Sequence, residues 1–320
     1  MHNFITFLLG ITAAGLCHAG TFILPPADID IVGQLETITA GRNNTLLDIA
    51  REYDIGQNEI LHANPGVDRW LPADNSPVIL PNRFILPATK RTGLVINLPE
   101  MRMYYYPKAK PGEPPVVITH PVSVGRMDWE TPLGNTKIVA KKQDPDWRPP
   151  QSLKDEAIAE GDEPLPDVVK AGPDNPLGRY AIRLGIPGYL IHSTNKPYGV
   201  GMRVTHGCLR MYPEDIEKLF DEVSVGTRVQ LINQPIKIGW LAGSLFLELH
   251  PPLEEDREKY QDYMQNVLDA IADFLADERN TDGTGSIGVS LSGGALRQAV
   301  EGLSPGQRAA NRLLSSRRNH

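Results

Sequence analysis

Cysteine is almost missing from this chain of 320 residues: there are 2, Cys17 and Cys208. The first ends a nearly charge-free apolar stretch, residues 4–16, and is followed by His18-Ala19-Gly20, with small Ala19 where a signal peptidase cuts. Residues 1–19 are therefore expected to be a signal peptide and the chain to be exported, although Lys and Arg are missing from the n-region, which offers only His2 and the amino terminus. A retained N-terminal anchor is the alternative, with the apolar run short for a span. Lipid attachment at Cys17 is disfavoured, because Leu16 stands where a small residue is needed. Cleavage after Ala19 leaves Cys208 alone, so no intramolecular disulfide can form. A lone thiol in an oxidising compartment points to a reactive group or an intermolecular bond. A positive excess is missing too: 32 basic residues stand against 39 acidic ones, a formal charge of -7. That removes the electrostatic reason to expect nucleic acid or an anionic membrane as partner. Beyond the leader, no stretch is long and apolar enough to cross a bilayer.

What the chain does have is turn formers. Its 29 glycines and 28 prolines favour short strands and many turns over long helical bundles. A compact unit is expected over residues 36–87: a strand at Glu36-Thr37-Ile38-Thr39, a first helix from Thr45 to Tyr53 with Thr45 at its cap, and a second around Gln57 to His62. Asn64-Pro65-Gly66 breaks that helix, and the runs 77–81 and 84–87 are extended. This strand, helix, helix, strand order resembles a LysM module, with a long loop at 70–76 as its atypical feature. The resemblance implies binding to the N-acetylglucosamine-containing glycan of cell walls; a small packed unit without ligand is the alternative.

Residues 92–234 read as short strands between turns, at 93–98, 101–106, 116–124, 136–140 and 226–232. The expected fold is mainly β, an antiparallel sandwich or barrel-like domain with short helices, preceded by the small α+β unit and followed by a helical C-terminal extension. The proline- and acid-rich stretch 144–178 reads as a long covering loop with a short helix near Ala157. A helix starts at Pro213, its acids clustered in the first turn. In the extension, residues 235–320, Tyr260, Tyr263, Met264, Val267, Leu268, Ile271, Phe274 and Leu275 follow three-and-four spacing, which predicts one amphipathic helix docked on the body and a disordered tail ending in Arg317-Arg318.

The chemistry gathers around Cys208. A thiol needs a neighbouring base or positive potential to become a nucleophile. His192 closes the apolar run Tyr189-Leu190-Ile191, sixteen residues earlier, a separation that lets neighbouring strands bring the two together. His206 is nearer in sequence, two residues from Cys208, but His192 is the expected base. Gly207 permits a sharp turn and leaves the amides of Gly207 and Cys208 free for an oxyanion. Arg210 has the fork geometry to hold a substrate carboxylate. Against these stand a buried apolar role for Cys208, an ordinary surface ion pair for Arg210, and a zinc site of His192, His206 and Cys208. No fourth ligand has the right spacing, and neither metal nor cofactor is expected.

The pair His192-Ser193, the sixteen-residue gap and Thr205-His206-Gly207-Cys208-Leu209-Arg210-Met211 resemble the signature of the L,D-transpeptidase catalytic domain. The resemblance extends through Gly125-Arg126, Trp129, Thr131-Pro132-Leu133-Gly134 and the run 171–178. It implies that Cys208 attacks the carbonyl at the L-centre of diaminopimelate in a tetrapeptide stem, expels D-alanine and holds the stem as a thioester that an amine then attacks. His192 would take the thiol proton, the Ser193 carbonyl would orient the imidazole, and His206, Gly207 and Arg210 would line the donor site. The implied setting is the periplasm of a Gram-negative cell. The acceptor stays open between a second diaminopimelate, giving a 3-3 crosslink, and the lysine of a small outer-membrane lipoprotein. One departure is Ser193-Thr194, where many members of the nearest branch have glycine after the first histidine; a backbone contact tolerates that change. A cell-wall cysteine endopeptidase is the second reading, but in the common exported families its cysteine precedes its histidine. A wall-binding protein without catalysis is the third.

Overall fold

The computed structural model describes residues 20–277, 288–289, 293–301 and 314–319. The expected signal peptide, residues 1–19, lies outside the described residues, as do most of residues 280–294 and of the tail. From the start come β1 (Thr21–Ile23), β2 (Ile31–Gly33), β3 (Glu36–Thr39), α1 (Leu46–Glu52), α2 (Gln57–Ala63), β4 (Pro77–Leu80) and β5 (Arg83–Ile85). Thr45 caps α1 in a reciprocal box with Asp48, satisfying two orphan donors of the first turn. Asn64 ends α2 and binds it to β4, its side-chain amide giving to the Ile60 and Ile79 carbonyls and accepting from the Ile79 N–H. β3 pairs with β4 and β2 with β5, both antiparallel. Leu46, Ile49, Ile55, Ile60, Val78 and Leu80 form the unit's own core.

Next follow β6 (Gly93–Asn97), β7 (Arg102–Tyr106), β8 (Val116–Pro121), β9 (Val124–Gly125), β10 (Gly134–Gln143), α3 (Gln151–Glu160), β11 (Tyr180–Leu184), β12 (Leu190–His192), β13 (Arg203–Thr205), β14 (Leu209–Arg210), α4 (Pro213–Glu222) and β15 (Arg228–Ile232). One nine-stranded sheet runs in the order β1-β8-β7-β6-β15-β10-β11-β12-β14. The fold is mainly β, as expected, but the sheet is mixed and not antiparallel throughout. β15 lies parallel to β6 and β14 parallel to β12. Parallel neighbours need a crossover, made between β12 and β14 by residues 193–208, while α4 carries the chain from the edge strand β14 back to β15 inside the sheet.

Strands β6 and β7 are buried on both faces, and their alternation divides two cores. Leu94, Ile96, Met103 and Tyr105 join Ile138, Ile182, Ile191, Leu209 and Ile216 on one side. Val95, Tyr104, Tyr106 and Val117 meet Val32, Phe84 and Leu86 on the other. The first unit is also bound to the sheet by polar contacts. Arg102, buried in β7, makes a two-pronged pair with Glu59 of α2 at 2.9 and 2.6 Å. Arg51 of α1 does the same with Glu214 of α4.

After Pro235 the chain forms a hairpin of β16 (Ile236–Leu241) and β17 (Ser244–Leu249) before any helix. Ala242 and Gly243 both have positive φ, the geometry of a two-residue turn that matches strand twist. The helical reading of this extension passed over the period-2 signal in Ile236, Ile238 and Trp240. α5 (Tyr263–Ala276) then packs Val267 and Ile271 against the hairpin. β18 (Gly288–Val289), α6 (Gly293–Glu301) and β19 (Leu314–Asn319) complete the described elements. β19, expected as tail without structure, pairs with β17.

A buried charge cluster bolts the hairpin to the sheet. Lys237 Nζ reaches Glu100 and Glu248, each at 2.8 Å, and donates to the Ile85 carbonyl at 2.7 Å. Burial alone would raise the Glu248 carboxyl, but Lys237 and His250 outweigh it and hold it down to about 2. Lys237→Met leaves two buried carboxylates facing each other without their cation. It is expected to cost about 3–5 kcal/mol of stability, read as a lower urea midpoint at unchanged slope. A shift below about 1 kcal/mol would show that the cluster is not a structural bolt.

Candidate active site

Two short strands bring the chemistry together. β12 and β14 run parallel, with Ile191 opposite Leu209 and His192 opposite Arg210. Ile191 and Leu209 point into the core. Side chains alternate along a strand, so His192 and Arg210 project from the opposite face, and Cys208, two residues before Arg210, continues that face. The sixteen-residue gap is thus taken up by a loop between adjacent strands, as the sequence suggested.

His192 is buried, and its Nδ1 lies 2.6 Å from the Ser193 carbonyl oxygen. A ring nitrogen facing a carbonyl must carry the proton, so Nδ1–H donates and Nε2 keeps its lone pair. Burial, and next the Arg210 charge, push this imidazole down to about 4. Ser193 is itself held firmly: Gly178, at φ 62°, packs its bare Cα against it, and a Cβ there would lie 2.6 Å from the Ser193 Cβ. A cavity of about 410 Å³ opens beside Ser193, Thr194 and Asn195, facing Pro173 and Arg179.

The turn before Cys208 is shaped by its carbonyls. Thr131 Oγ1 donates to the Gly207 carbonyl at 2.9 Å and accepts from the Gly125 N–H, while Thr205 Oγ1 donates to the Cys208 carbonyl at 2.5 Å. With both carbonyls held, the amides of Gly207 and Cys208 donate to no other group among the described residues. Two adjacent amides left in this way are able to receive an oxyanion. Gly207 is required here twice over: its φ is 91°, and a Cβ would meet the Tyr189 ring at 2.8 Å. Tyr189 is fixed in turn by donating its hydroxyl to the Glu130 carbonyl. The Cys208 thiol is partly buried and donates to the Gly188 carbonyl at 3.7 Å. Burial raises its pKa, with the Leu190 amide and Arg210 pulling the other way.

On an extended chain His206 and Cys208 would share a face, but the left-handed turn at Gly207, φ 91°, breaks that alternation, and His206 contacts the covering segment. Its Nε2 lies 2.8 Å from Glu156 on α3, which also pairs with Arg126, and Trp129 meets its ring edge-on. Burial lowers the His206 pKa, assisted by Arg126 and Arg210. Arg210 exchanges backbone hydrogen bonds with Ser123, yet its buried Nε has no acceptor and it forms no salt bridge among the described residues. A desolvated guanidinium without an anion is costly to keep unless one arrives. His192, His206 and Cys208 are not among the groups of described residues whose ligand atoms converge, and His206 Nε2 faces Glu156 instead. Sequence reasoning missed Glu156, Tyr189 and the two threonine clamps. Thr131 and Thr205 stand in the quoted motifs, but nothing in their spacing says which carbonyl they hold.

A family profile describing the L,D-transpeptidase catalytic domain (YkuD) matches residues 91–231. The chain is 42% identical over 262 residues to the probable L,D-transpeptidase YbiS of Escherichia coli strain K12, covering 80% of this chain and 84% of that protein. It is 44% identical over 245 residues to the probable L,D-transpeptidase ErfK/SrfK of Salmonella typhimurium, covering 75% and 77%. With the probable L,D-transpeptidase YcfS of Escherichia coli it shares 38% over 286 residues, 88% of each. These relatives favour acyl transfer over the endopeptidase reading and over wall binding without catalysis. The chain therefore belongs to the L,D-transpeptidase family, acyltransferases that work through a cysteine nucleophile.

Proposed function

We propose that Cys208 is that nucleophile and that it acts on the tetrapeptide stems of peptidoglycan. The observation that carries this reading is the His192 Nδ1 bond to the Ser193 carbonyl, which leaves Nε2 basic on the face it shares with Cys208. His192 takes the thiol proton as sulfur attacks the carbonyl at the L-centre of diaminopimelate. The developing oxyanion meets the amides of Gly207 and Cys208, which nothing else occupies. Collapse, with His192 giving that proton to the departing nitrogen, expels D-alanine and leaves a thioester; an amine then attacks it, and His192 takes the amine's proton and returns it to the departing Cys208 sulfur. Arg210, short of an anion, holds a stem carboxylate, and His206 lines the donor side from its seat on Glu156.

The setting follows from the rest of the chain. A signal peptide over residues 1–19 delivers the enzyme to the periplasm. Residues 36–87, with their strand, two helices and strand, act as a LysM-like glycan-binding unit; Trp70, 61% exposed on the long loop, offers an aromatic face to sugar rings. Residues 92–234 form the catalytic domain and residues 235–320 a C-terminal extension. Among the described residues, no helix is long and apolar enough to cross a membrane. The acceptor is a second diaminopimelate amine or a lipoprotein lysine.

The test is intact-mass spectrometry of the enzyme with disaccharide tetrapeptide. The expected products are an adduct equal to the stem minus D-alanine, then a crosslinked dimer, or a conjugate when a lysine peptide is the acceptor. Cleavage at another stem bond, with no adduct, would defeat the proposal.

A further inference from the structure

A second cluster of titratable groups lies away from the thiol, where the first unit meets the sheet. Asp54 follows α1, His120 ends β8 and Asp215 sits in α4, and all three are buried. His120 Nδ1 is 2.8 Å from Asp54 Oδ2 and 3.7 Å from Asp215 Oδ1. The neighbouring Arg102 is matched by Glu59, so it leaves little charge to spare. Two carboxylates therefore share one histidine and lie against each other, and apart from a proton on Asp215 the buried Asp54 Oδ1 has no donor. Burial raises Asp54 to about 7 and, together with Asp54, lifts Asp215 well above the usual carboxylate range. The cluster is one cation short.

The chain end supplies a candidate. Gly20 stands directly before β1, and its carbonyl accepts from the Thr119 N–H at 2.7 Å. Its φ is 89°, and a Cβ added to it would lie 2.5 Å from the Thr119 carbonyl oxygen and 2.6 Å from Asp54 Oδ2. For a methyl group that position is closed. For an ammonium it is close to charge-assisted hydrogen-bond distance, about 2.7–2.9 Å. While Gly20 is joined to residue 19 its nitrogen is an amide with one N–H. Once that bond is cut, rotation of about 120° around Cα–C carries the nitrogen into the staggered position that the Cβ would occupy. The new group has three donors, and Asp54 and the Thr119 carbonyl are acceptors at that point.

We propose that the pocket of Asp54, His120 and Asp215 is an ammonium-binding socket, and that its ligand is the α-amine of a mature chain beginning at Gly20. The proposal rests on the signal-peptide reading for its ligand. It assigns a purpose to glycine at position 20 and to a buried acid pair remote from the catalytic thiol. Processing then locks β1 and the first unit onto the sheet, so that the exported chain is more stable than its precursor.

The test compares the chain released at Gly20 from a cleavable fusion with the same chain carrying several extra residues before Gly20, each with and without Asp54→Asn. Asp215→Asn serves as a second variant should the first fold poorly. Reductive methylation followed by peptide mass spectrometry reads the α-amine, and thermal melting reads stability. The Gly20 amine is expected to react at least about tenfold slower than in Asp54→Asn, one unit of raised pKa. The Gly20 chain is expected to melt several degrees above the extended chain, a gap that closes in either Asp variant. An amine that reacts like that of a free peptide, with equal melting of the two chains, overturns the socket, as would a shared proton or a divalent cation filling the cluster in both. N-terminal mass analysis of the exported protein tests the processing separately. A cut elsewhere refutes the signal-peptide reading, whereas a cut before Gly20 with a freely reactive amine refutes only the socket.

Discussion

Cys208→Ala is expected to lower transfer from a tetrapeptide donor by at least about 10³-fold, a loss of ~4 kcal/mol in transition-state stabilisation. No other described residue offers a thiol, so no neighbour can form the thioester. Cys208→Ser should fail almost as completely. A hydroxyl needs a far stronger base than an imidazole held near 4 to become a useful nucleophile. Both variants should keep the fold. The thiol is partly buried and its hydrogen bonds are weak sulfur contacts, a long one to the Gly188 carbonyl and one from the Leu190 amide, so its removal should change stability by less than about 1 kcal/mol. Intact mass after incubation with a carbapenem separates the two effects: adduct on the parent chain, none on either variant, with melting unchanged. An adduct retained by Cys208→Ala would remove the residue from the mechanism.

The adjacency of the segments carrying His192 and Cys208 was legible in the sequence because a sixteen-residue gap suits two neighbouring strands. What the sequence could not give was the register that sets His192 opposite Arg210. That register depends on a parallel pairing of β12 with β14, a long-range choice that local periodicity does not encode. The same limit hid the mixed sheet. The run 116–124 read as one strand because its apolar residues are continuous, but Ser123 leaves the ladder and pairs with Arg210 instead. Glu156 was invisible for another reason. In an acid-rich covering segment every carboxylate looks alike until one of them meets Arg126 and His206. The first unit was easier, since the Thr45 cap and the Asn64 break are local signals with local causes.

The second large effect concerns protons. At neutral pH the structure favours a thiol beside a neutral imidazole over a thiolate–imidazolium pair, because burial moves the two groups in opposite directions: Cys208 up and His192 down to about 4. The base works only when unprotonated, so a depressed pKa extends activity towards acid. The rate, kcat/KM, should therefore hold steady as pH falls through the ordinary histidine value of about 6.5 and drop only near 4. Stability carries the same sign. An imidazole that stays neutral when folded contributes fully above the unfolded value and loses its contribution as pH falls towards 4. His192→Gln should cost about 10²–10⁴ in kcat/KM and erase the acid limb, leaving a profile that rises only with thiol ionisation. Iodoacetamide should label Cys208 slowly at pH 7 for the same reason, since the thiolate is the reacting form. An acid limb centred near 6.5, or rapid labelling with thiolate absorbance at neutral pH, would overturn this account. On the proposed export and mechanism, a neutral resting state would also protect the Cys208 thiol, since peroxide and disulfides are attacked by thiolates.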